Sequence, residues 1–192
     1  RRLPRDERSR NAFRQGAADA VNQLKNHPCI CYWTIFNEGW GQFDSQAQFE
    51  RLRALDDSRF IDTTSGWFRC GQSDVESLHV YFKPVRLPKS EKPLVLSEFG
   101  GYSYKPEGHV FNTEKTYGYR FFKEQPAFMD ALERLYLDEI VPAREKGLCA
   151  AIYTQLSDVE DETNGLVSYD RGVCKADEAR MCAIAEKLKF SY

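Results

Sequence analysis

The stretch that decides the fold is His27-Pro28-Cys29-Ile30-Cys31-Tyr32-Trp33-Thr34-Ile35-Phe36-Asn37-Glu38-Gly39-Trp40. A helix stop at Asn26-His27-Pro28 leads into an almost continuous apolar run from Cys29 to Phe36, the pattern of a parallel strand buried on both faces. The run ends on a glutamate. Before it, Phe13, Ala17, Ala20, Val21 and Leu24 recur at helical spacing and predict a helix over Ser9–Lys25. After it, a loop rich in Gly and aromatic residues leads to Asp44, which reads as the N-cap of a helix carrying Phe49, Leu52 and Leu55.

The alternation continues along the chain. Phe60–Thr64 and Ser77–Phe82 read as short strands, and Pro93–Ser97 is a further apolar run that ends in Glu98-Phe99-Gly100-Gly101. Pro126 opens a long helix with Phe128, Leu132, Leu135, Tyr136 and Ile140 on one face; Pro142 kinks its last turns and Gly147 closes it. A strand over Leu148–Thr154 and a helix over Ala176–Phe190 complete the pattern. Strands alternating with helices call for a parallel sheet, either open and doubly wound or closed into a barrel.

Composition narrows the function. With 192 residues, 42% of them hydrophobic, and a net charge of -2, the chain can bury one substantial core. Opposite charges are mixed throughout, without the basic stripe that tracks a phosphate backbone, so nucleic acid is not an expected partner. No run approaches the roughly 18 apolar residues of a membrane span, so a membrane is not expected either. Arg1 to Arg10 is charged where a signal peptide would be apolar, and the chain opens without Met, which reads as a segment of a longer protein.

Six scattered cysteines do not form a disulfide framework or a zinc pattern. Cys29 and Cys31, two apart in a strand, read as small buried hydrophobes, and free thiols point towards a reducing, cytoplasmic compartment. Aromatic residues make up 14% and often adjoin Gly, Asn or Glu, a composition that suits both core packing and sugar platforms.

Chemistry is concentrated where two strands end, at Asn37-Glu38 and Ser97-Glu98. In a parallel α/β fold such positions converge on the active-site face. Two carboxylates there suit acid/base and nucleophilic work, because one can be held protonated while the other stays ionised. Helix capping or salt bridging accounts for a single glutamate of this kind more often than catalysis does. The pair, each followed by a loop of Gly and aromatic residues, shifts the balance.

These residues resemble glycoside hydrolase family 2. His27-Pro28 through Trp33 to Asn37-Glu38 resembles its acid/base signature, and Leu94 to Gly101 resembles its nucleophile signature. The segment from Tyr153-Thr154-Gln155 to Tyr169-Asp170-Arg171 is similar to the stretch after the last barrel strand in a β-galactosidase-like branch. The resemblance implies the C-terminal portion, about strands four to eight, of a (β/α)8 TIM barrel. Residues 1–192 would then be a partial catalytic domain without its N-terminal strands and accessory domains.

What the resemblance implies for the site is specific. Glu38 would be the general acid/base and Glu98 the nucleophile of a retaining β-glycosidase. Asn37 would bond the sugar 2-hydroxyl and Tyr81 would bond the nucleophile. Tyr153 would floor the sugar site, which Trp40, Trp67 and His79 would help to line. The partner is then a β-linked sugar or oligosaccharide. No cofactor is expected, and metal dependence stays open because ligands known in some β-galactosidases would fall outside this stretch. Glu162-Thr163-Asn164-Gly165 stands where β-glucuronidases carry an Asn-x-Lys motif, which lowers that reading relative to a β-galactosidase. A non-catalytic carbohydrate-binding domain on a degenerate barrel, a β-mannosidase and another retaining hydrolase of the same clan are the alternatives. A partial barrel would also expose sheet edges, so the chain alone is expected either to self-associate through them or to keep an open, curved sheet.

Overall fold

The computed structural model describes residues 6–189. Its elements, in order, are α1 (Glu7–Leu24), β1 (Tyr32–Asn37), α2 (Ser45–Leu55), β2 (Phe60–Ser65), β3 (Glu76–Val80), β4 (Leu94–Gly100), β5 (Tyr102–Tyr104) and β6 (Arg120–Phe122). There follow α3 (Gln125–Arg134), a π-helical stretch (Leu135–Ile140), α4 (Val141–Arg144), β7 (Leu148–Thr154) and α5 (Glu178–Leu188). No described helix is long and apolar enough to cross a membrane. The residues gather into two compact units, Arg1–His79 with Lys89–Ser97, and Val80–Pro88 with Glu98–Tyr192.

In the first unit α1 begins where Asp6 accepts a hydrogen bond from the Ser9 N–H at 2.8 Å, an ordinary carboxylate N-cap. Its buried Val21 meets Phe49 and Leu52 of α2 and Ile61 of β2, with Trp33, Ile35 and Leu55 packed around them. Phe13 stacks on Phe36 at 5.1 Å, and Phe43 meets both rings edge-on at 5.5 and 5.6 Å. β1 and β2 run parallel with Tyr32 opposite Phe60 and Asn37 opposite Ser65, so their C-terminal ends finish level. β3 and the first residues of β4 are neighbours in a second sheet.

Three expectations change here. Cys29 and Cys31 lie before β1 and are exposed, and all six cysteines are free and exposed. Only Phe36 of β1 is buried, because among the described residues β2 is the sole strand hydrogen-bonded beside it. Asp44 does occupy the N-cap position of α2, but its backbone is left-handed (φ 42°) and its side chain makes no cap. The carboxylate turns instead to Arg10 at 3.4 Å and Arg14 at 3.7 Å.

In the second unit β7 neighbours β4, and the short strands β5 and β6 pair in parallel. Phe99, Phe128, Met129, Leu132, Ile140 and Ile184 are almost wholly buried and form its interior. The long helix that opens with Pro126 is interrupted by the π-helical stretch, after which the Val141 N–H reaches back to the Tyr136 carbonyl. Pro142 follows at once. Its ring cannot continue regular α-helical bonding, so the irregularity falls where the sequence places a kink. α5 begins at Glu178, two residues after the predicted start, and is capped by Asp177, which accepts from the Arg180 N–H at 2.8 Å; the predicted end, Phe190, lies outside the described residues. Glu98, expected just past a strand, stands within β4, which runs on to Gly100.

Candidate functional site

The first unit carries Glu38 and the second carries Glu98. β1 ends at Asn37, and Glu38 follows with a left-handed backbone (φ 52°) that a non-glycine residue adopts only at a cost in strain. Local bonds hold it there: its N–H donates to the Ser65 carbonyl at 2.9 Å, and the Trp40 N–H donates to the Asn37 carbonyl at 2.9 Å. Gly39, at φ 75°, completes the turn. A Cβ on it would stand 2.8 Å from the Phe68 ring, so no other residue fits without displacing that ring.

Glu38 Oε1 lies 2.8 Å from His79 Nδ1, and the His79 side chain is fully buried. The other ring nitrogen, Nε2, lies 3.0 Å from Ser65 Oγ. Trp67 donates its indole N–H to the His79 carbonyl at 3.3 Å and meets the imidazole edge-on at 6.1 Å. Gly66, at φ 89°, lets the imidazole come close, since a Cβ there would fall 2.7 Å from Nδ1. His79 is therefore a buried partner of Glu38, not an open lining residue. Trp40 and Trp67 are 58% and 50% exposed. Asn37 is exposed as well.

In the second unit the Tyr81 hydroxyl donates to Glu98 Oε2 and lies 3.1 Å from Thr154 Oγ1 at the end of β7. Burial, and then the hydrogen bond to Glu98, push the Tyr81 phenol well above its ordinary range, so it remains a donor at any working pH. The Tyr119 ring stacks on it at 3.8 Å and 8°. Gly101 (φ 67°) makes that possible, because a Cβ there would collide with Tyr119. A cavity of about 290 Å³ opens beside Tyr81, with Phe82, Tyr119, Arg120 and Glu139 among its walls.

Tyr153 is built into the interior. Its hydroxyl accepts from the Tyr102 N–H at 3.2 Å, and its ring packs edge-on against Phe99 at 5.7 Å. Gly100, at φ 87°, lies so close that a Cβ would meet the Tyr153 ring. Burial raises the Tyr153 phenol and keeps it protonated.

The segment after β7 forms a tight knot. Gln155 Nε2 donates to Asn164 Oδ1 at 2.8 Å and Glu162 Oε2 at 2.9 Å, and the Gly165 N–H donates to Asp158 Oδ1 at 2.8 Å. Buried Lys175 donates to Asp158 Oδ1 at 2.7 Å and to the Thr163 and Tyr104 carbonyls at 2.8 and 2.9 Å. Asn164 and Lys175 are thus occupied inside the protein.

The sequence patterns did not single out Ser65 and Tyr119, which touch His79 and Tyr81, and Ser97, though inside the nucleophile signature, was not expected to bond Ser65. Only the nearness of Ser97 to Glu98 and the run Tyr117-Gly118-Tyr119 could have drawn attention to them.

Comparison with known proteins supplies the family. Residues 1–191 match the model described as "Glycosyl hydrolases family 2, TIM barrel domain", and the chain belongs to that family as part of its α/β barrel. Among solved structures it is similar to a provisionally assigned beta-galactosidase from Bacteroides fragilis, at TM-score 0.59 and 13% identity over 92% of this chain and 31% of that one. It is also similar to an FMN-binding beta-glucuronidase from Faecalibacterium prausnitzii L2-6, at TM-score 0.58 and 16% identity over 92% and 32%. A third is a beta-D-glucuronidase from Dictyoglomus thermophilum, at TM-score 0.54 and 14% identity over 93% and 36%. This chain spans about a third of the length of each. No curated protein matches it.

Proposed function

We propose that this chain carries both catalytic carboxylates of a retaining β-glycosidase, with Glu38 as general acid/base and Glu98 as nucleophile. The observation that carries the reading is the Tyr81 hydroxyl on Glu98 Oε2. A phenol held protonated steadies a carboxylate as it attacks the anomeric carbon and strengthens its departure from the glycosyl-enzyme. Glu38, held through Oε1 by His79, would protonate the glycosidic oxygen and later take a proton from water. Asn37, Trp40 and Trp67 would contact the sugar; Tyr153, occupied by Tyr102, would act by shaping the wall behind it.

For the substrate, a β-galactoside is the first reading. Asn164 lies buried against Gln155, and the Lys175 ammonium is spent on Asp158 and two carbonyls, so neither is available to bind a sugar carboxylate. The likeness to two structures named as beta-glucuronidases keeps a β-glucuronide as the second reading. Aryl β-galactoside, β-glucuronide and β-mannoside, offered to the full-length protein, separate them. Turnover of the galactoside foremost is expected. Preference for the glucuronide would install the second reading, and binding without turnover of any would make this a carbohydrate-binding domain.

A further inference from the structure

The side chains behind Glu38 form a hydrogen-bond series whose direction can be read from donor capacity. Ser97 Oγ lies 3.4 Å from the Leu78 carbonyl, and a carbonyl only accepts, so the Ser97 proton points to Leu78. Ser97 is left with lone pairs. Ser65 Oγ, 2.8 Å away, therefore donates its single proton to Ser97. That leaves Ser65 as acceptor towards His79 Nε2 at 3.0 Å, and the nitrogen must carry a hydrogen. Each assignment forces the next.

From this we infer that Ser65 and Ser97 are positioning residues that fix a proton on His79 Nε2, so that Nδ1, 2.8 Å from Glu38 Oε1, is the one ring nitrogen whose proton is exchanged with that carboxyl. The inference rests on the acid/base assignment of Glu38 for its catalytic meaning, but the tautomer itself does not. Without the serines the imidazole could place its hydrogen on either nitrogen, and the tautomer with its hydrogen on Nδ1 could not accept a proton there from Glu38. Both serines are held by backbone features already described: Ser65 closes β2, and Ser97 precedes Glu98 in β4. The Ser65 carbonyl also accepts from the Glu38 N–H at 2.9 Å, so one residue fixes both the backbone of Glu38 and the proton of its partner.

The test reads the ring directly. The sequence holds three histidines, His27, His79 and His109, so two-bond nitrogen–proton spectra of histidine-labelled protein are assigned with His27→Gln and His109→Gln. His79 should show a protonated Nε2, and Ser65→Ala or Ser97→Ala should spread the hydrogen over both nitrogens, whereas Ser65→Thr and Ser97→Thr should keep it on Nε2. A neutral ring with its hydrogen on Nδ1, or a mixture in the unaltered protein, overturns the inference, and neither result depends on the variants folding. In the full-length enzyme Ser97→Ala should lower turnover of aryl glycosides with poor leaving groups by about tenfold more than that of good ones, the signature of weakened general acid catalysis. Equal losses on both overturn the positioning role. A fixed Nε2 hydrogen in a protein without glycosidase activity would keep the relay and remove the function proposed above.

Discussion

Tyr81 lies flat against Tyr119, ring centroids 3.8 Å apart and planes 8° from parallel, while its hydroxyl donates to Glu98. The stack leaves Tyr81 little freedom to swing away from the carboxylate. Tyr81→Phe should remove a hydrogen bond to a charged group, worth about 1.5 to 3 kcal/mol, and lower kcat by roughly 10- to 150-fold. Tyr119→Leu keeps the hydroxyl but loses a ring pair worth about 0.5 to 1.5 kcal/mol, so a smaller loss is expected, with a lowered Tm. Steady-state kinetics on the full-length enzyme checks both. Undiminished turnover in Tyr81→Phe would remove Tyr81 from the site.

The roles of the two glutamates separate by rescue chemistry. Glu98→Gly should abolish turnover of an aryl β-glycoside, and added azide should restore part of it by forming the α-glycosyl azide. Glu38→Ala should spare substrates with good leaving groups. A crystal structure of the complete enzyme should set the two carboxyl groups about 5 to 5.5 Å apart, as retention requires. Recovery of a β-azide from Glu98→Gly would reverse the assignment.

How much of this was legible beforehand depends on distance along the chain. Local periodicity placed α1 and α2 to within about two residues and β7 at its observed limits, because an apolar face or run is written in neighbouring residues. β5 and β6 escaped, since three residues hold too few repeats of a two-residue period to register, and their pairing spans the loop between Tyr104 and Arg120. The glutamates stood out at strand ends. Their partners did not: His79 meets Glu38 from 41 positions away, and Ser65 meets Ser97 across 32. Nothing in a hydroxyl's own neighbourhood announces a bond formed only by folding. Burial of β1 was overread for a related reason, because an apolar run reports what a strand could bury and not which neighbours cover it.

Asp56 makes a pH prediction. Burial opposes its charge, but hydrogen bonds from Ser58 and Trp33, together with Arg59, outweigh that and hold its carboxyl well below the usual carboxylate range. A folded-state value below the unfolded one means that the stabilisation is complete above the unfolded value, about 3.9, and is lost as pH falls towards the folded one. Urea midpoints measured from pH 6 down to pH 2.5 should therefore decline below about pH 4, and Asp56→Asn should flatten that decline while starting lower. An identical acid limb in the variant would show that Asp56 does not titrate in this way.

Lys175 and Asp158 test what holds the segment after β7. Burial works against charge in both, lowering the Lys175 ammonium and raising the Asp158 carboxyl, and their mutual contact opposes it. Lys175→Met would strand Asp158 among buried groups and free the Thr163 and Tyr104 carbonyls. Loss of one partner of such a pair costs about 3 to 5 kcal/mol, enough to lower the Tm of this chain by several degrees. Thermal unfolding would report it. If Lys175→Met were as stable as the parent, the knot from Gln155 to Lys175 would owe its shape to backbone bonds alone.

The last prediction concerns the sheet edges. Among the described residues β1 stands at an edge of its two-stranded sheet and β7 at an edge of the sheet β3-β4-β7, and each leaves side chains uncovered. Cys149, Ala150, Ala151 and Ile152 of β7 are all exposed, Ile152 to 54%. A strand end of this kind presents unpaired N–H and C=O groups beside apolar surface, the combination that recruits another strand. The chain made alone should therefore self-associate as concentration rises, and light scattering would follow it. Ile152→Lys should shift the equilibrium towards monomer, because a desolvated ammonium on the pairing surface opposes assembly without touching the buried interior. Little glycosidase activity is expected from the isolated chain, which corresponds to about a third of each solved structure it resembles. A monomer that stays monomeric at high concentration and hydrolyses an aryl glycoside would mean that these edges are satisfied within one chain, and that the chain holds a complete sugar site.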